Sequence, residues 1–580
     1  MISPKLILGL ACLMFFSRLV DGTYYQDLSS LEKTVVDEGM GKYGLLPLKD
    51  ASGRVVKRIY VITASPFSPR AKYLTLLNYL HIDTKEYVIR RDIFQKTEEV
   101  FDEALVRDSE LFLRSQGKVR SLAVIVPVVP AGPHKPGEVD LLVATTDILS
   151  LRPTFSFKGS GDTLTDLKVA LGEHNFLGLN KSISVSYEYQ QGGQIFGANY
   201  VDPRLLGSFL RLDIKPSIIL QHRSFHYDGF NGRLSLERPL LSETDRYGYG
   251  LEATFGSKPV TDFRGSKIRT LDIPQNHGVK KIERYRYSYG LGNIYGTRSF
   301  GRAKKHEITL GYSIHVKRPS IPEEYDLTET DKEYLRSHYL PRDELESYIT
   351  LEYAFFHNKF LTLYDYDNYK LQEKQRIGPA FSIANDFSSR KILLSDHDFI
   401  RPKLKMSWSN PIYQDGFFTV GASASIRYDG KPADAFYKLG FSIVSHKIFG
   451  LGRAVLDGGI NLAFEDRDNQ KYALGSDSGL RGVESRFYSG KKRLRGNFEL
   501  RSVPIDIWIF HAGLVLFYDV GTAFDDWSKA NATQALGFGI RVLAPQVSSV
   551  LFRLDLAFPI SGMGKEAHTI LPSFGTGQAF

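Results

Sequence analysis

The sequence predicts a mostly β protein: a transmembrane antiparallel β-barrel preceded by one small α+β domain. Three observations predict it. From Leu151 to the C-terminus, short segments alternate apolar and polar residues with a period of two, as strands do when one face meets water and the other hydrocarbon. After the N-terminus no apolar run approaches the ~20 residues that a membrane helix needs, so crossing by helices is excluded. The 38 Phe, 32 Tyr and 51 Gly among 580 residues suit aromatic belts at two interfaces and tight strand turns. A soluble sandwich shares that composition but seldom sustains alternation for so long. The formal net charge of +9 comes from Lys and Arg spread along strands and turns, without the basic tail or patch of a nucleic-acid partner.

In chain order, residues 1–22 read as a secretory signal, with Lys5 before an apolar core from Leu6 to Phe16 and Val20-x-Gly22 ahead of Thr23. Cys12, the single cysteine, lies inside that core, so the mature chain needs neither disulfide nor thiol ligand. Residues 23–53 form a lead segment or linker in which Leu28, Leu31 and Val35 fall on one face of a short helix. Residues 54–147 read as a β-α-α-β-β unit. It comprises a strand at 55–63, a helix capped by Thr84 and running to Ile93, and a second helix capped by Asp102 with Ala104, Leu105, Leu111 and Phe112 on its core face. Strands at 119–129 and 138–146 follow, joined by breaker-rich 130–136. An exposed strand edge in such a unit can take an extended client by β-augmentation.

Residues 148–580 form the barrel. In 181–190, Ile183, Val185, Tyr187 and Tyr189 oppose serines and polar residues; 306–316 and 416–428 repeat the pattern. Charged insertions at 257–284 and 317–344 read as extracellular loops, the second with a helical turn near 331–339. A polar glycine-rich loop at 466–492 leads into a strand with Arg493, Arg495, Asn497, Glu499 and Arg501 on one face and Leu494, Phe498 and Leu500 on the other. Arg553 and Asp555 share the lumen face of a later strand, with Phe552, Leu554 and Leu556 outside.

Leu480-Arg481-Gly482, Glu499 and Phe517-Tyr518-Asp519-Val520-Gly521 resemble the signature of the bacterial surface antigen family of outer-membrane insertases and translocators, of the BamA and TamA type. Asn175-Phe176-Leu177-Gly178 followed by Tyr200-Val201-Asp202-Pro203 resembles a second stretch of that family, and Val483 departs from its usual Tyr or Phe. The resemblance implies sixteen strands, eleven before the Arg-Gly loop and five after. Five can be marked after it, but up to fifteen before it, so as many as twenty are possible. It also implies that residues 54–147 are a single POTRA-like domain. The loop is expected to fold into the barrel, where Arg481, beside Gly482, meets Glu499 and Asp519 as a brace among the lumen charges Arg501, Arg553 and Asp555. Arg486, beyond the motif, reads as a solvated loop charge. In the two-partner secretion branch a helix from the lead segment plugs the barrel, which is the second reading of residues 23–53. The barrel closes between a first strand near 151–159, containing Ser156, and a last strand at 573–580, where Gly575 and Gly577 weaken the seam and Phe580 supplies an aromatic terminus.

No nucleophile, base and orienter set and no metal-ligand spacing is visible, and Glu173-His174 sits beside the turn at 175–178. The expectation is therefore a protein that is not an enzyme and needs no cofactor. It would be an assembly or insertion factor in a Gram-negative type outer membrane, with its POTRA-like domain in the periplasm and a barrel that opens laterally. Its partners would be the lipid bilayer, unfolded outer-membrane or exported protein clients and periplasmic accessory proteins, with no nucleic acid. The alternatives are a two-partner secretion pore, a lipid-export barrel and a passive porin.

Overall fold

The computed structural model describes residues 25–579 except 29, 65–80, 116–119, 242–244, 276–277, 364, 368, 370–372, 414, 509, 544–550 and 563–569. The expected signal at 1–22, with Cys12, and Phe580 lie outside the described residues. The chain divides into two compact units. No described helix is long and apolar enough to cross a membrane.

The first unit runs to Leu151 and includes Glu173–Lys181. Its helices are α1 (Ser30–Tyr43), α2 (Glu86–Arg90) and α3 (Glu103–Ser115), and its strands β1 (Leu45–Pro47), β2 (Val55–Ala64), β3 (Arg120–Pro130) and β4 (Glu138–Asp147). The strands form one sheet in the order β1-β3-β4-β2, with β2 parallel to β4. Both faces are apolar because both are covered. Val56, Ile59, Val61 and Leu141 pack with Ile89, Val106 and Leu113 on one side, and Ile62, Val124, Val126 and Leu142 pack with Val35 and Val36 of α1 on the other.

Three local expectations are corrected here. The lead segment is no free linker, since α1 covers a sheet face that would otherwise expose a row of Val and Leu to water. Thr84 does not cap a helix: α2 is only five residues long and begins after Lys85, while the Thr84 hydroxyl donates to buried Asp147 at 2.7 Å. On α3, Asp102 does cap, accepting from the Ala104 amide at 2.8 Å, but the core face is Val106 and Leu113, and Leu111 points outward.

The remaining strands form a closed antiparallel barrel, which makes up the second unit apart from the few residues at 151, 173–176 and 181 that group with the first. Its strands are β5 (Leu151–Ser160), β6 (Thr163–Phe176), β7 (Lys181–Gln190), β8 (Gly193–Asp202), β9 (Arg211–Leu220), β10 (Tyr227–Arg238), β11 (Tyr247–Val260), β12 (Tyr285–Phe300), β13 (Lys304–Ser320) and β14 (Glu344–His357, continued by Lys359–Leu363). They continue as β15 (Glu373–Ser388), β16 (Phe399–Ile412), β17 (Gly416–Tyr428), β18 (Pro432–Val444), β19 (Gly452–Phe464), β20 (Lys492–Ser502, continued by Ile505–Ile507), β21 (Phe510–Phe524), β22 (Thr533–Leu543), β23 (Phe552–Ser561) and β24 (Leu571–Thr576). Among the described residues the barrel thus has 20 strands, not 16. All fifteen candidates before the Arg-Gly loop are staves of the wall.

Leu310, Leu500, Leu516, Phe538 and Leu554 are exposed on the outer face, while Asn497, Glu499, Asp519, Arg541 and Asp555 are buried within. This is the inside-out pattern that lipid requires. Both charged insertions follow the same end of the barrel. The first carries two hairpins, Asp262–Arg264 with Lys267–Arg269 and Leu271–Gln275 with Gly278–Ile282. The second carries α4 (Glu329–His338), started by a reciprocal cap between Thr328 and Asp331, and Leu335 of this helix packs on Ile273 and Ile282 of the first.

Candidate functional site

The loop between β19 and β20 turns back into the barrel because its own apolar residues need cover. Leu474, Leu480, Val483, Phe487 and Tyr488 form a buried cluster with Ala523 of β21. Val483, where a larger aromatic was the expectation, is fully buried in this cluster. The loop is held from both sides. Lys317 and Arg342 reach Asp468 at 2.6 and 3.3 Å, and the hairpin at 262–269 grips the tip through Arg264 stacked 4.0 Å over the Phe487 ring.

At the centre lies Arg481, with no exposed surface. Its Nε and Nη2 donate to the two oxygens of Asp519 at 2.7 and 2.8 Å, and its own backbone amide donates to Asp519 at 3.0 Å. Nη1 lies 2.7 Å from Glu499 and 3.6 Å from Asp555, and the guanidinium stacks 3.5 Å over the Phe517 ring. A planar cation held by two carboxylates and an aromatic face is fixed in orientation as well as position. Burial would depress the Arg481 pKa, and Asp519, followed by Glu499 and Asp555, more than offsets that, so the group stays charged. Gly482 explains how the backbone comes so close. Its φ is +88°, and a Cβ there would lie 2.9 Å from the Ala535 side chain.

The predicted lumen charges join the same cluster. Arg501 donates to Glu499 at 2.7 Å, and Arg553 lies 3.4 Å from Asp555. Arg486 is exposed and pairs loosely with Asp477 at 3.7 Å. Sequence reasoning missed Arg541, fully buried between Asp555 at 2.7 Å and Glu499 at 3.9 Å. Its signal was the parity of β22, where Ala535, Gly537, Gly539 and Arg541 alternate with outward Leu536, Phe538 and Ile540. It also missed an inward turn between β14 and β15: Tyr366 gives its carbonyl to Arg501 at 3.2 Å, and Tyr369 is buried against Leu543 and Leu551. Gln578 links the two, accepting from Arg541 and donating to the Asp367 carbonyl, each at 3.2 Å.

The sequence matches the Omp85 superfamily domain over residues 175–580, which takes in the Arg-Gly loop and every strand that carries the arginine cluster. The chain belongs to the Omp85 superfamily. Its barrel is therefore of the outer-membrane type, in a family whose members act on protein clients. Solved structures to which the chain is similar include BamA from Haemophilus ducreyi lacking POTRA domains 1-3, at 13% identity and TM-score 0.37, covering 95% of this chain and 94% of that one. They also include CdiB from Acinetobacter baumannii, at 11% and 0.43 with 95% and 82% covered, and CdiB from Escherichia coli, at 12% and 0.42 with 95% and 84% covered. A search of curated proteins gives no match.

The seam of this Omp85 barrel differs in detail from expectation. Among the described residues, strands β5 and β24 pair at only three positions, Ser160 with Ser573, Gly159 with Phe574 and Lys158 with Gly575, against eleven between β21 and β22. Gly577 is not in the last strand. It follows the strand in a left-handed conformation, φ +79°, and donates its amide to the Leu551 carbonyl, which ends the ladder. Ser156 consequently lies beyond the paired stretch. Outside, the rings of Phe157, Phe552 and Phe574 gather at 5.9–6.0 Å across the joint. Glu173 accepts from the Asn175 amide at 2.8 Å and shapes its turn.

Proposed function

We propose that this protein inserts or assembles unfolded β-barrel clients in the outer membrane through a barrel that opens between β5 and β24. Its first unit would lie in the periplasm and receive clients or accessory proteins. The observation that carries the reading is the three-position seam. Residues Leu151–Ser156 lie beyond the β24 ladder among the described residues, and unpaired groups facing hydrocarbon cost several kcal/mol each, so along this edge an added strand has backbone groups to pair with. The arginine cluster complements it. By tying the Arg-Gly loop to β20–β23, it keeps the wall next to the seam rigid, so that opening is confined to one joint.

The test is a disulfide across the seam at Ser160→Cys and Ser573→Cys, which are direct partners on the lumen face. Directly opposed residues in an antiparallel pair stand ~4.5–5.5 Å apart at Cα, within disulfide range. In proteoliposomes, folding of a urea-unfolded outer-membrane protein is followed by its gel shift on heating. The oxidised protein should be inactive and recover on reduction. Equal activity in both states defeats lateral opening, and passage of a substrate or of ions through the locked barrel would favour the secretion-pore, lipid-export or porin alternatives.

A further inference from the structure

Among the described residues, one group of side chains has metal-ligand character, and it lies in the first unit: His81, Asp83 and Asp147, whose candidate ligand atoms all fall within 4.8 Å of one another. The His81 side chain is 2% exposed, yet neither ring nitrogen has a hydrogen-bond partner. Asp147 is fully buried; its Oδ2 accepts from the Thr84 amide and hydroxyl at 2.8 and 2.7 Å, while its Oδ1 has no hydrogen-bond partner. Burying an imidazole and a carboxylate without satisfying them is costly. The distances say what would satisfy them. His81 Nε2 stands 3.5 Å from Asp147 Oδ2 and 3.5 Å from Asp83 Oδ1. A charge-assisted hydrogen bond would close to ~2.7–2.9 Å. Three ligands at ~2.0–2.2 Å around a tetrahedral ion stand about 3.3–3.6 Å apart.

We propose that His81, Asp83 and Asp147 bind one divalent first-row transition ion of the zinc class. One imidazole with two carboxylates suits such ions, whereas calcium and magnesium prefer six or more oxygens. Three protein ligands leave one position for water, which has access because Asp83 is 65% exposed. Thr84 orients Asp147 from behind, as second partners of ligands usually do. The same Thr84 hydroxyl accepts from Asn175 Nδ2 at 3.0 Å, and that amide also donates to the Ile82 carbonyl at 2.9 Å. The ion would thus pin segment 81–85, which carries the turn at 175–180, to the end of β4. Its role is structural. The site is independent of whether the barrel inserts, secretes or conducts.

The experiment is a cobalt titration of the full-length protein in detergent, after chelator treatment. Expected are one equivalent bound, visible d–d absorption, displacement by zinc and no competition from magnesium. His81→Ala and Asp83→Asn should each weaken binding by at least about 10- to 100-fold, the loss that removing only a supporting partner of a ligand causes, with unchanged circular dichroism beside the heat-shifted gel mobility showing that both variants are folded. Asp83 is mostly solvent-facing, so its variant tests the site without threatening the core. No stoichiometric uptake by the wild type, or uptake unchanged in both variants, overturns the proposal.

Discussion

Arg481→Ala is the perturbation that most directly probes the lumen brace. It removes two hydrogen bonds to Asp519 and the ion pair to Glu499. Charge-assisted bonds contribute ~1.5–3 kcal/mol each, so the gross loss is large. It is reduced because no acid is left wholly alone: Asn497 still donates to Asp519, Arg501 to Glu499 and Arg541 to Asp555, each at 2.7 Å. A net loss of about 3–5 kcal/mol in loop docking is expected, the range for breaking a buried pair from one side. At ~1.4 kcal/mol per factor of ten, the undocked population rises roughly 100- to 4,000-fold. Limited proteolysis of residues 466–492 reads this directly, because cleavage tracks the open population when reclosing is fast. Arg486→Ala is the control and should stay within ~0.5 kcal/mol. The cycle of Arg481→Ala with Asp519→Ala should show ~2–3 kcal/mol of coupling. Additive effects, or cleavage of Arg481→Ala within twofold of wild type, would mean that the pair does not hold the loop.

Two further outcomes follow from the geometry. Arg541→Met should lower the temperature of the barrel's gel shift markedly, at a cost of ~3–5 kcal/mol, and adding Asp555→Leu should recover part of it, since the cost lies in stranding the partner charge. Leu516→Arg, on the lipid face of β21, should cost ~2–4 kcal/mol in urea unfolding from lipid if it sits at mid-bilayer, whereas Trp508→Arg at the rim should cost ~0–1 kcal/mol; equal costs would contradict the assignment of the outer face.

The sequence by itself determined what depends on neighbours along the chain. A side chain's face is set by its parity in a strand, so alternation was enough to identify the barrel and to put Glu499, Asp519, Arg553 and Asp555 inside. Parity and the Arg-Gly motif together brought Arg481 to its two acids. Tertiary structure decided what depends on partners far apart. Parity does not say whether a hairpin rises above the membrane or joins the wall, and only closure of the sheet made fifteen strands before the loop, and 20 in all, into staves. Local chemistry made Thr84 a helix cap, but Asp147, 63 residues away, offered its hydroxyl a buried carboxylate instead. Arg541 looked like one arginine among many until β20 and β23 brought Glu499 and Asp555 to it. His81 carried no spacing motif because its partner Asp147 comes from the end of β4, 66 residues further along the chain. A buried charge is settled by whichever opposite charge the fold delivers, and the fold delivers it through space.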